Sequence, residues 1–571
     1  MDDRLDLLLT GVMPAILMVA VALTLLISLL LLHIYRRAVV RSMGRSSQVS
    51  SDASSQASSQ ASGQTPAEFA VATAVPSNQT LSSGDKTALY AHLLKAPWRQ
   101  AVIYGMGGLG YAVVMSLALQ LSFPGPIVPI QFLCTLLLYL WPTVIAFALV
   151  AASTRKVLTR LILAYFMGLI GVSFVADWMS GPTFIWMNLL LLWFLFNGPA
   201  TALLLGCLHP RIRAVGPLVL TSLLFVVSGF LAFLFLIRSQ DFLVSGVVLG
   251  ASVSGQDAFL LLLGIAFCLS LVFVAPLGWG VLRWIRVGYE QKRISDQFLR
   301  LVSIGLLFSL VHSINLASMS GSVWILSGLP AFAVFLWISK TLLDRQGELS
   351  VHAGNGMNLL LLRVFALERR SEQLFQSLSL HWRHIGSIQM IAGPDLVKTT
   401  IEPHEFLDFV TGKLARRFID GPQTLEQRLA ESDLRPDLDQ RFRVNDFFCY
   451  DDTWRLTLLS LLKTSDVVLM DLRSFSRQRA GCIFEINTLI HRVPVEQFTL
   501  LVDRTTDEAF LQETIQLAWQ SQPPESPNTL KSVDTLQIFR WDSGASPLFA
   551  LFRVLFGTTV PSANASPAKP A

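Results

Sequence analysis

The chain has 571 residues; 52% of them are hydrophobic, only 15% are charged, and the net charge is +5. This length is too great for one ordinary domain, and the charged fraction excludes a typical soluble protein, in which about a quarter of residues are charged. We attribute the positive charge to membrane topology and expect no nucleic-acid partner. The five cysteines show no spacing typical of metal ligands, so neither a metal site nor a disulfide framework is expected.

Nine apolar stretches in the first 343 residues are long enough to cross a bilayer as helices, which takes about 20 residues each. They lie at about 8–32, 101–121, 127–151, 158–177, 183–207, 215–237, 259–281, 301–319 and 323–343. The first stretch is too long for a signal peptide and its basic residues follow it, so residues 1–35 are predicted to form a signal-anchor helix. The other eight form a predicted transmembrane region at 99–343.

Lysine and arginine residues favour alternate loops of this region. The loops after the first, third, fifth and seventh stretches carry several, whereas the other loops carry none or one. Because basic loops stay cytoplasmic, the pattern places the N-terminus outside and the C-terminal half in the cytoplasm, on a plasma (inner) membrane. Residues 36–98 include a stretch rich in Ser, Ala and Gln and are predicted to be a flexible cytoplasmic linker. Residues 561–571 are predicted to be a disordered tail.

Polar groups are scarce inside the predicted spans. His312 and Asn315 are the only polar pair near a bilayer midplane, and we expect them to hydrogen-bond between helices rather than carry a substrate. The glycines at 105, 107 and 110 fit the G-x-G-x-x-G pattern of a dinucleotide loop, but no strand precedes them. Close helix packing through small residues explains them better.

From about residue 356 the pattern changes to short apolar runs that alternate with amphipathic helices, which predicts an α/β domain at 344–560. Predicted strands lie at 359–365, 387–391, 443–449, 467–470, 498–502 and 536–540, and predicted helices at 368–381, 403–418, 480–491 and 507–520, with one more from about 452. Residues 419–440 are charged and are predicted to be irregular. Near-continuous apolar strands indicate a doubly wound, mostly parallel, Rossmann-like sheet that helices cover on both faces.

Polar residues cluster where the strands at 467–470 and 498–502 end. In an open α/β sheet, ligands bind in the crevice at the carboxyl ends of the strands. The candidate ligand-binding residues are Asp471, Arg473, Ser474, Ser476, Gly481 and Asp503. Glu485 lies one turn into the following helix among apolar neighbours, which would raise its pKa and suit acid/base or nucleophilic chemistry.

Each candidate also has a structural explanation. Asp471 and Asp503 would serve equally well as caps of helices or turns, and Arg473 as a partner of Asp471. The serines are typical of loops and N-caps. The helix dipole favours an acidic residue in the first turn, where Glu485 lies. Cys482 is best explained as a small packed side chain rather than a nucleophile.

Residues 480–486 read Ala-Gly-Cys-Ile-Phe-Glu-Ile. This run resembles the TIR-domain pattern, in which a Ser-containing loop leads to Trp-Cys-x-x-Glu-Leu. It is also similar to the nucleoside 2-deoxyribosyltransferase-like pattern, Gly-x-x-Phe-Glu-Leu/Ile-Gly. Both resemblances imply a flavodoxin-like fold and cleavage of an N-glycosidic bond, with Glu485 as the catalytic residue and Asp471 and Ser476 against the ribose. They imply NAD or another nucleotide as the substrate and no required cofactor.

Two functions therefore remain open for the C-terminal half. It is either a membrane-tethered enzyme that cleaves the N-glycosidic bond of NAD or a nucleotide, or a non-catalytic sensor or scaffold that binds a nucleotide or a protein partner. A transporter with a regulatory domain is disfavoured because the spans hold so few polar groups. The expected partners are the lipid bilayer and a small-molecule nucleotide, and assembly as a homo-oligomer is left open.

Overall fold

The structure is a computed structural model. It describes residues 22–39, 41, 83–151, 155–180, 186–207, 215–224, 227–228, 272, 276, 278–349, 356–363, 368–392, 406, 409, 417–432, 434–450, 453–541 and 547–556. The predicted C-terminal tail and most of the predicted linker lie outside these residues.

All regular secondary structure in the described residues of the N-terminal part is helical. Its helices are α1 (Ala22–Val39), α2 (Ser83–Leu121), α3 (Pro129–Tyr139), α4 (Trp141–Ala151), α5 (Arg155–Ser180), α6 (Trp186–Cys207), α7 (Asp296–Ser320) and α8 (Gly328–Leu349). Further helical residues lie at 216–224 and 278–290. Five of these helices (α1, α2, α5, α7 and α8) are long and apolar enough to cross a membrane, and the bent pair α3–α4 makes a sixth candidate.

The predicted count of nine spans is not confirmed. Helix α6 contains only a shorter apolar helix, Leu189–Ala202; about half of the predicted span at 215–237 and most of that at 259–281 lie outside the described residues. The predicted span at 127–151 consists of two helices, α3 and α4, which meet at a bend of 44° and form either one broken span or a re-entrant loop. Pro142 explains the bend: it has no backbone N–H to donate to the carbonyl of Leu138.

Helix α2 begins earlier than expected. It starts at Ser83, so the prediction of a flexible linker is wrong for residues 83–98. Its glycines let α8 and α4 approach closely. A Cβ atom added at Gly110 would lie 2.5 Å from Ile338 Cδ1, and one at Gly107 would collide with the Ser339 hydroxyl. The G-x-G-x-x-G pattern is therefore a helix-packing surface.

The C-terminal part is built on a seven-stranded sheet. Its strands are β1 (Leu359–Arg363), β2 (Ile388–Ala392), β3 (Phe418–Ile419), β4 (Val444–Cys449), β5 (Val467–Asp471), β6 (Phe498–Val502) and β7 (Gln537–Arg540). Its helices are α9 (Glu368–Trp382), α10 (Pro422–Glu431), α11 (Trp454–Thr464), α12 (Ala480–Arg492), α13 (Glu508–Gln520) and α14 (Pro547–Leu555). The strand order is β3-β4-β2-β1-β5-β6-β7, and every pair is parallel.

Successive residues of a strand point to opposite faces of the sheet. In β1, Leu359 and Leu361 belong to one apolar cluster, which includes α9 and α14, whereas Leu360 and Leu362 belong to a second, which includes α11, α12 and α13. Helices therefore cover both faces, which explains why the strands are continuously apolar. The prediction of a parallel α/β sheet domain is confirmed.

The strand order identifies the place where the sheet changes direction. Without the two-residue β3, the order is the Rossmann order 3-2-1-4-5-6, and the last five strands in this order, β2-β1-β5-β6-β7, follow the flavodoxin-like order 2-1-3-4-5. In both schemes the switch point lies between β1 and β5. A ligand crevice is expected there, at the carboxyl ends of these two strands.

Three element predictions need correction. The predicted helix at 403–418 includes Phe418, which instead forms β3, while most of that segment lies outside the described residues. Residues 419–440 are not irregular throughout, because they contain α10, whose first turn is closed by the Gly421 N–H donating to the Thr424 hydroxyl (3.1 Å). Helix α14 has no counterpart among the predicted elements.

The sheet domain contacts the helical part through residues 434–443, which we call the docking segment. The amide of Leu438 donates to the carbonyl of Lys292 (3.2 Å), and Leu438 packs against the core of the helical bundle. The docking segment runs directly into the first residue of β4. The helical part therefore sits at the amino ends of the strands, and the carboxyl ends lie at the opposite edge of the sheet.

Candidate active site at the carboxyl ends of the strands

Asp471 and Arg473 form a buried ion pair at the switch point. Asp471 ends β5 and is in register with Arg363, which ends β1. The Arg473 side chain donates from Nε to Asp471 Oδ1 and from Nη2 to Oδ2, both at 2.7 Å, and both side chains are buried. Such a two-point geometry is the strongest form of an arginine–carboxylate pair. The alternative that Arg473 is a partner of Asp471 rather than a ligand-binding residue therefore agrees with this geometry.

The loops after β5 and β6 are tied together by hydroxyl groups. The backbone N–H of Ser474 donates to Thr505 Oγ1 (3.1 Å), and the two hydroxyls are 3.0 Å apart. Thr505 in turn donates from its hydroxyl (2.5 Å) and its N–H (2.9 Å) to Asp503 Oδ1. Asp503 therefore stabilises the turn after β6, and Thr505 links this turn to the loop after β5.

Ser474 adopts an uncommon backbone conformation. Its φ is +58°, in the left-handed region that residues other than glycine rarely enter. The contacts to Thr505 hold it there. Strained positions of this kind are often found at functional sites. The loop between β5 and α12 is thus held in one shape with the half-exposed Ser474 at its tip.

Glu485 lies on the inner side of α12 and is 4% exposed. Its Oε2 atom is completely buried and has no hydrogen-bond partner among the residues that the structure describes. Burial raises its pKa to about 8. The carboxyl group is therefore mostly protonated at neutral pH, since a carboxylate without a compensating partner is costly to bury.

Cys482 lies one turn before Glu485 and is packed in the apolar cluster around α12. Burial, and to a smaller extent the charges of Glu485 and Asp471, raise the pKa of the Cys482 thiol to about 12 against the lowering effect of Arg479. Both carboxyl groups thus lie within electrostatic range of this thiol. A thiol with so high a pKa is a poor nucleophile, which agrees with the packing role expected from the sequence.

The remaining two predicted residues lie at the start of α12. The carbonyl of Ser476 accepts from the N–H of Arg479 (3.0 Å), in the turn that leads into the helix. A Cβ atom added at Gly481 would meet nothing within 4 Å, so packing does not require glycine there. Open space lies beside the first turn of α12.

One residue near the site was not indicated by the sequence. The Trp541 ring, which follows β7, lies 5.9 Å from the guanidinium carbon of Arg473. Its position becomes apparent only once β6 and β7 are known to be neighbours. Its position directly after the predicted strand at 536–540 was the one sequence feature that could have identified Trp541 as a site residue.

The site has no feature of a metal centre or a dinucleotide loop in the residues that are described. No group of three or more His, Cys, Asp or Glu side chains is arranged there to hold a metal ion. The connection after β1, residues 364–367, reads Val-Phe-Ala-Leu and has no glycine. Dinucleotide-binding Rossmann domains use a glycine-rich turn there so that the backbone can approach the pyrophosphate.

No protein family model, no curated protein sequence and no solved structure matches this chain. The function must therefore be argued from the site, because a sheet of this topology hosts many unrelated activities.

Proposed function

We propose that this chain is an integral membrane protein whose C-terminal domain acts in the cytoplasm on the N-glycosidic bond of NAD or a related nucleotide. The observation that carries the proposal is the buried, protonated carboxyl group of Glu485 beside the switch point. Perturbed acids in such positions are candidates for acid/base chemistry. The resemblance of residues 480–486 to TIR-like and deoxyribosyltransferase-like proteins supports the same residue.

A protonated Glu485 would act first as a general acid. With a neutral nucleobase it gives its proton to a ring nitrogen of the base as the bond between the base and the anomeric carbon breaks. With NAD the cationic nicotinamide leaves as a neutral base and takes no proton, so only the ionised form of Glu485 takes part. The resulting carboxylate stabilises the positive charge on the sugar, or attacks it, as in glycoside hydrolysis. Water then supplies the new hydroxyl group, and its proton returns to Glu485. The products are the free base and the free sugar moiety.

The polar groups at the ends of β5 and β6 would hold the substrate. In this proposal the Ser474 hydroxyl at the loop tip hydrogen-bonds a ribose or phosphate, and the open space beside Gly481 takes part of the ligand. The connection after β1 lacks glycine, which favours a ligand bound mainly by its nucleoside part. In this proposal the Asp471–Arg473 pair fixes the wall of the crevice.

The test uses the full chain in lipid nanodiscs. NAD and a panel of nucleosides are incubated with the wild type and with Glu485→Gln, and the released base is measured by chromatography. We expect release by the wild type and a loss of about 10²–10⁴-fold in Glu485→Gln, the usual contribution of a general acid. Glu513→Gln is the matched control, because Glu513 is an exposed glutamate on the next helix.

A second function is favoured by one specific observation. The sheet domain is joined to the helical part by buried polar contacts, an arrangement suited to a sensor that binds a nucleotide or a partner without chemistry. If neither the wild type nor Glu485→Gln releases base, and both bind nucleotide equally, the enzyme is excluded and the sensor is supported. A transporter is less favoured, because both ring nitrogens of His312 have protein partners.

A further inference from the structure

The start of α7 is enclosed by the sheet domain. Its three residues at 295–297 each contact a different residue of that domain. Ser295 donates to Asp439 Oδ2 (2.5 Å), Asp296 pairs with Arg383 (3.1 Å), and Gln297 accepts from Arg441 Nη1 (2.7 Å). Three contacts around one helix start fix both the rotation and the axial position of that helix.

The docking segment adds contacts to the chain that leads into α7. The Arg443 side chain donates from Nε to both Asp437 oxygens and from Nη2 to the carbonyl of Tyr289 (2.5 Å), and it stacks 3.9 Å from the Tyr289 ring. The Tyr289 hydroxyl donates to Asp296 Oδ1 (2.5 Å). The contacts therefore form one connected network rather than separate pairs.

This network is buried. Asp296, Arg383, Asp437, Asp439 and Arg441 are each less than a tenth exposed. Polar groups out of water cannot exchange a lost partner for solvent, so removing one partner costs far more than at the surface. Such a contact tends to be made completely or lost completely, which is the behaviour of a two-state element.

The same helix enters the centre of the bundle. His312, which is fully buried, is hydrogen-bonded through Nδ1 to the Tyr111 hydroxyl (2.8 Å) and through Nε2 to Asn197 Oδ1 (3.2 Å). It lies 15 residues from Gln297 along an unbroken helix, a distance of about 22 Å. A helix held at both points transmits a shift at one to the other.

We propose that α7 couples the membrane bundle to the C-terminal domain: a rearrangement around His312 moves the helix start and releases or tightens the docking segment. The stimulus is thus any change in the bilayer or bundle that alters the contacts of His312 with α2 and α6. The response begins at the amino ends of β2 and β4, where the docking contacts lie. This coupling does not depend on which ligand or reaction the opposite edge of the sheet serves.

Amide hydrogen exchange of the full chain in nanodiscs reads the coupling directly. The Leu438 amide, bonded across the contact to Lys292, lies in peptides of the docking segment. Tyr111→Phe removes only the hydroxyl that bonds His312, and we expect exchange at 434–443 to rise about tenfold, as a local opening predicts. His312→Leu should act in the same direction and more strongly.

A double-mutant comparison shows whether α7 carries the effect. Gln297→Met removes the bond from Arg441 (2.7 Å) and the bond to Gln100 (3.0 Å) without changing charge. Alone it should also raise exchange at 434–443 about tenfold. Added to Gln297→Met, Tyr111→Phe should then change exchange less than twofold, because α7 no longer transmits the shift to Arg441. Two independent effects would multiply instead, and that result would overturn the proposal.

Trp141→Phe is the matched control within the bundle. It removes the indole bond to Thr201 (2.7 Å), which lies on α6. We expect exchange at 434–443 to stay at the wild-type rate. An equal rise in this variant, or no rise in Tyr111→Phe while its own helix exchanges faster, would show that the docking segment does not respond to α7.

Discussion

The ionisation of Glu485 makes a specific prediction about stability. Its pKa of about 8 in the folded protein lies above the ordinary value of 4.5, so its contribution is fully present below pH 4.5 and is lost as the pH rises through 8. Glutamine is neutral at every pH. We therefore expect Glu485→Gln to unfold at a higher temperature than the wild type, with a difference on the order of 2–4 kcal/mol by pH 8.

Thermal unfolding of the full chain at pH 5, 6.5 and 8 measures this difference. The gap between the two proteins should widen steadily across the series. Glu513→Gln serves again as the control and should show no widening. A Glu485→Gln protein that is less stable than the wild type at pH 8 would mean that the carboxylate has a favourable partner in solution, and the general-acid assignment would lose its basis.

The Asp471–Arg473 pair predicts a strong asymmetry between single and double substitutions. Arg473→Met removes two charge-assisted hydrogen bonds from a buried carboxylate, and we expect it to cost about 3–5 kcal/mol of unfolding free energy. Asp471→Asn combined with Arg473→Met removes both charges and should cost clearly less. Arg477→Met breaks an exposed ion pair with Glu513 and should leave stability nearly unchanged. Equal costs for Arg473→Met and Arg477→Met would contradict the buried geometry.

Among the helices, the glycines of α2 predict which positions tolerate a methyl group. A Cβ at Gly110 would lie 2.5 Å from Ile338 Cδ1 and 3.0 Å from Val334 Cγ1. We expect Gly110→Ala to cost about 1–3 kcal/mol, because the packed helices must separate. Gly168 on α5 is the matched control, since nothing lies within 4 Å of its added Cβ. Thermal unfolding in one detergent compares the two variants, and equal melting temperatures would contradict the close packing of α2 on α8.

The strand predictions succeeded where the sheet is buried on both faces. The predicted strand at 498–502 matches Phe498–Val502, because a short apolar run between polar loops is typical of a fully buried strand. Helix α10 was missed because it lies on the surface with Leu425 as its buried residue, too weak a pattern to detect. Helix α14 was missed because its partners, which include Tyr35 and Leu93, are distant in the sequence.

The broken span shows a different limit of sequence-based prediction. Residues 127–151 are apolar throughout, so hydropathy alone indicates one continuous helix. Because Pro142 has no N–H, the carbonyl of Leu138 lacks its helical hydrogen-bond donor. Asn197 Nδ2 donates to this carbonyl instead (3.1 Å), as a backbone group away from water requires. That partner is 59 residues away, and only the packing of α6 on α3 reveals it. The same asparagine then accepts from His312, as the predicted interhelical role of His312 required.

In the candidate site, some features were predictable from the sequence and others were not. The burial of Glu485 followed from its apolar neighbours in α12, and the closeness of the β5 and β6 loops followed from the parallel sheet. The sequence did not decide whether Arg473 pairs with Asp471 or binds a ligand, because the relative orientation of two side chains just past a strand end is not fixed. The link from Ser474 to Thr505 required the register of two strands, which hydrophobic pattern does not determine.

For the whole molecule, the hydrogen bonds show which helix ends lie at the same end of the bundle. Ser122 and Ser320, from two loops without lysine or arginine, are hydrogen-bonded to each other (2.9 Å) and so lie at one end of the bundle. The basic residues around Lys292 lie at the other end, where the docking segment contacts them. The loops without basic residues and the docking segment therefore lie at opposite ends of the bundle, and the cytoplasmic position of the docking end stays a prediction from loop charge.

Cysteine labelling tests this orientation in intact cells. Phe123→Cys and Met319→Cys should react with a membrane-impermeant maleimide from outside, whereas Gln427→Cys, exposed on α10, should react only after permeabilisation. The reverse pattern would invert the topology and move the candidate site out of the cytoplasm, away from its nucleotide supply. Reaction of positions 123 and 319 from opposite sides would be the more serious result, because helices that place Ser122 beside Ser320 must end on the same face of the membrane.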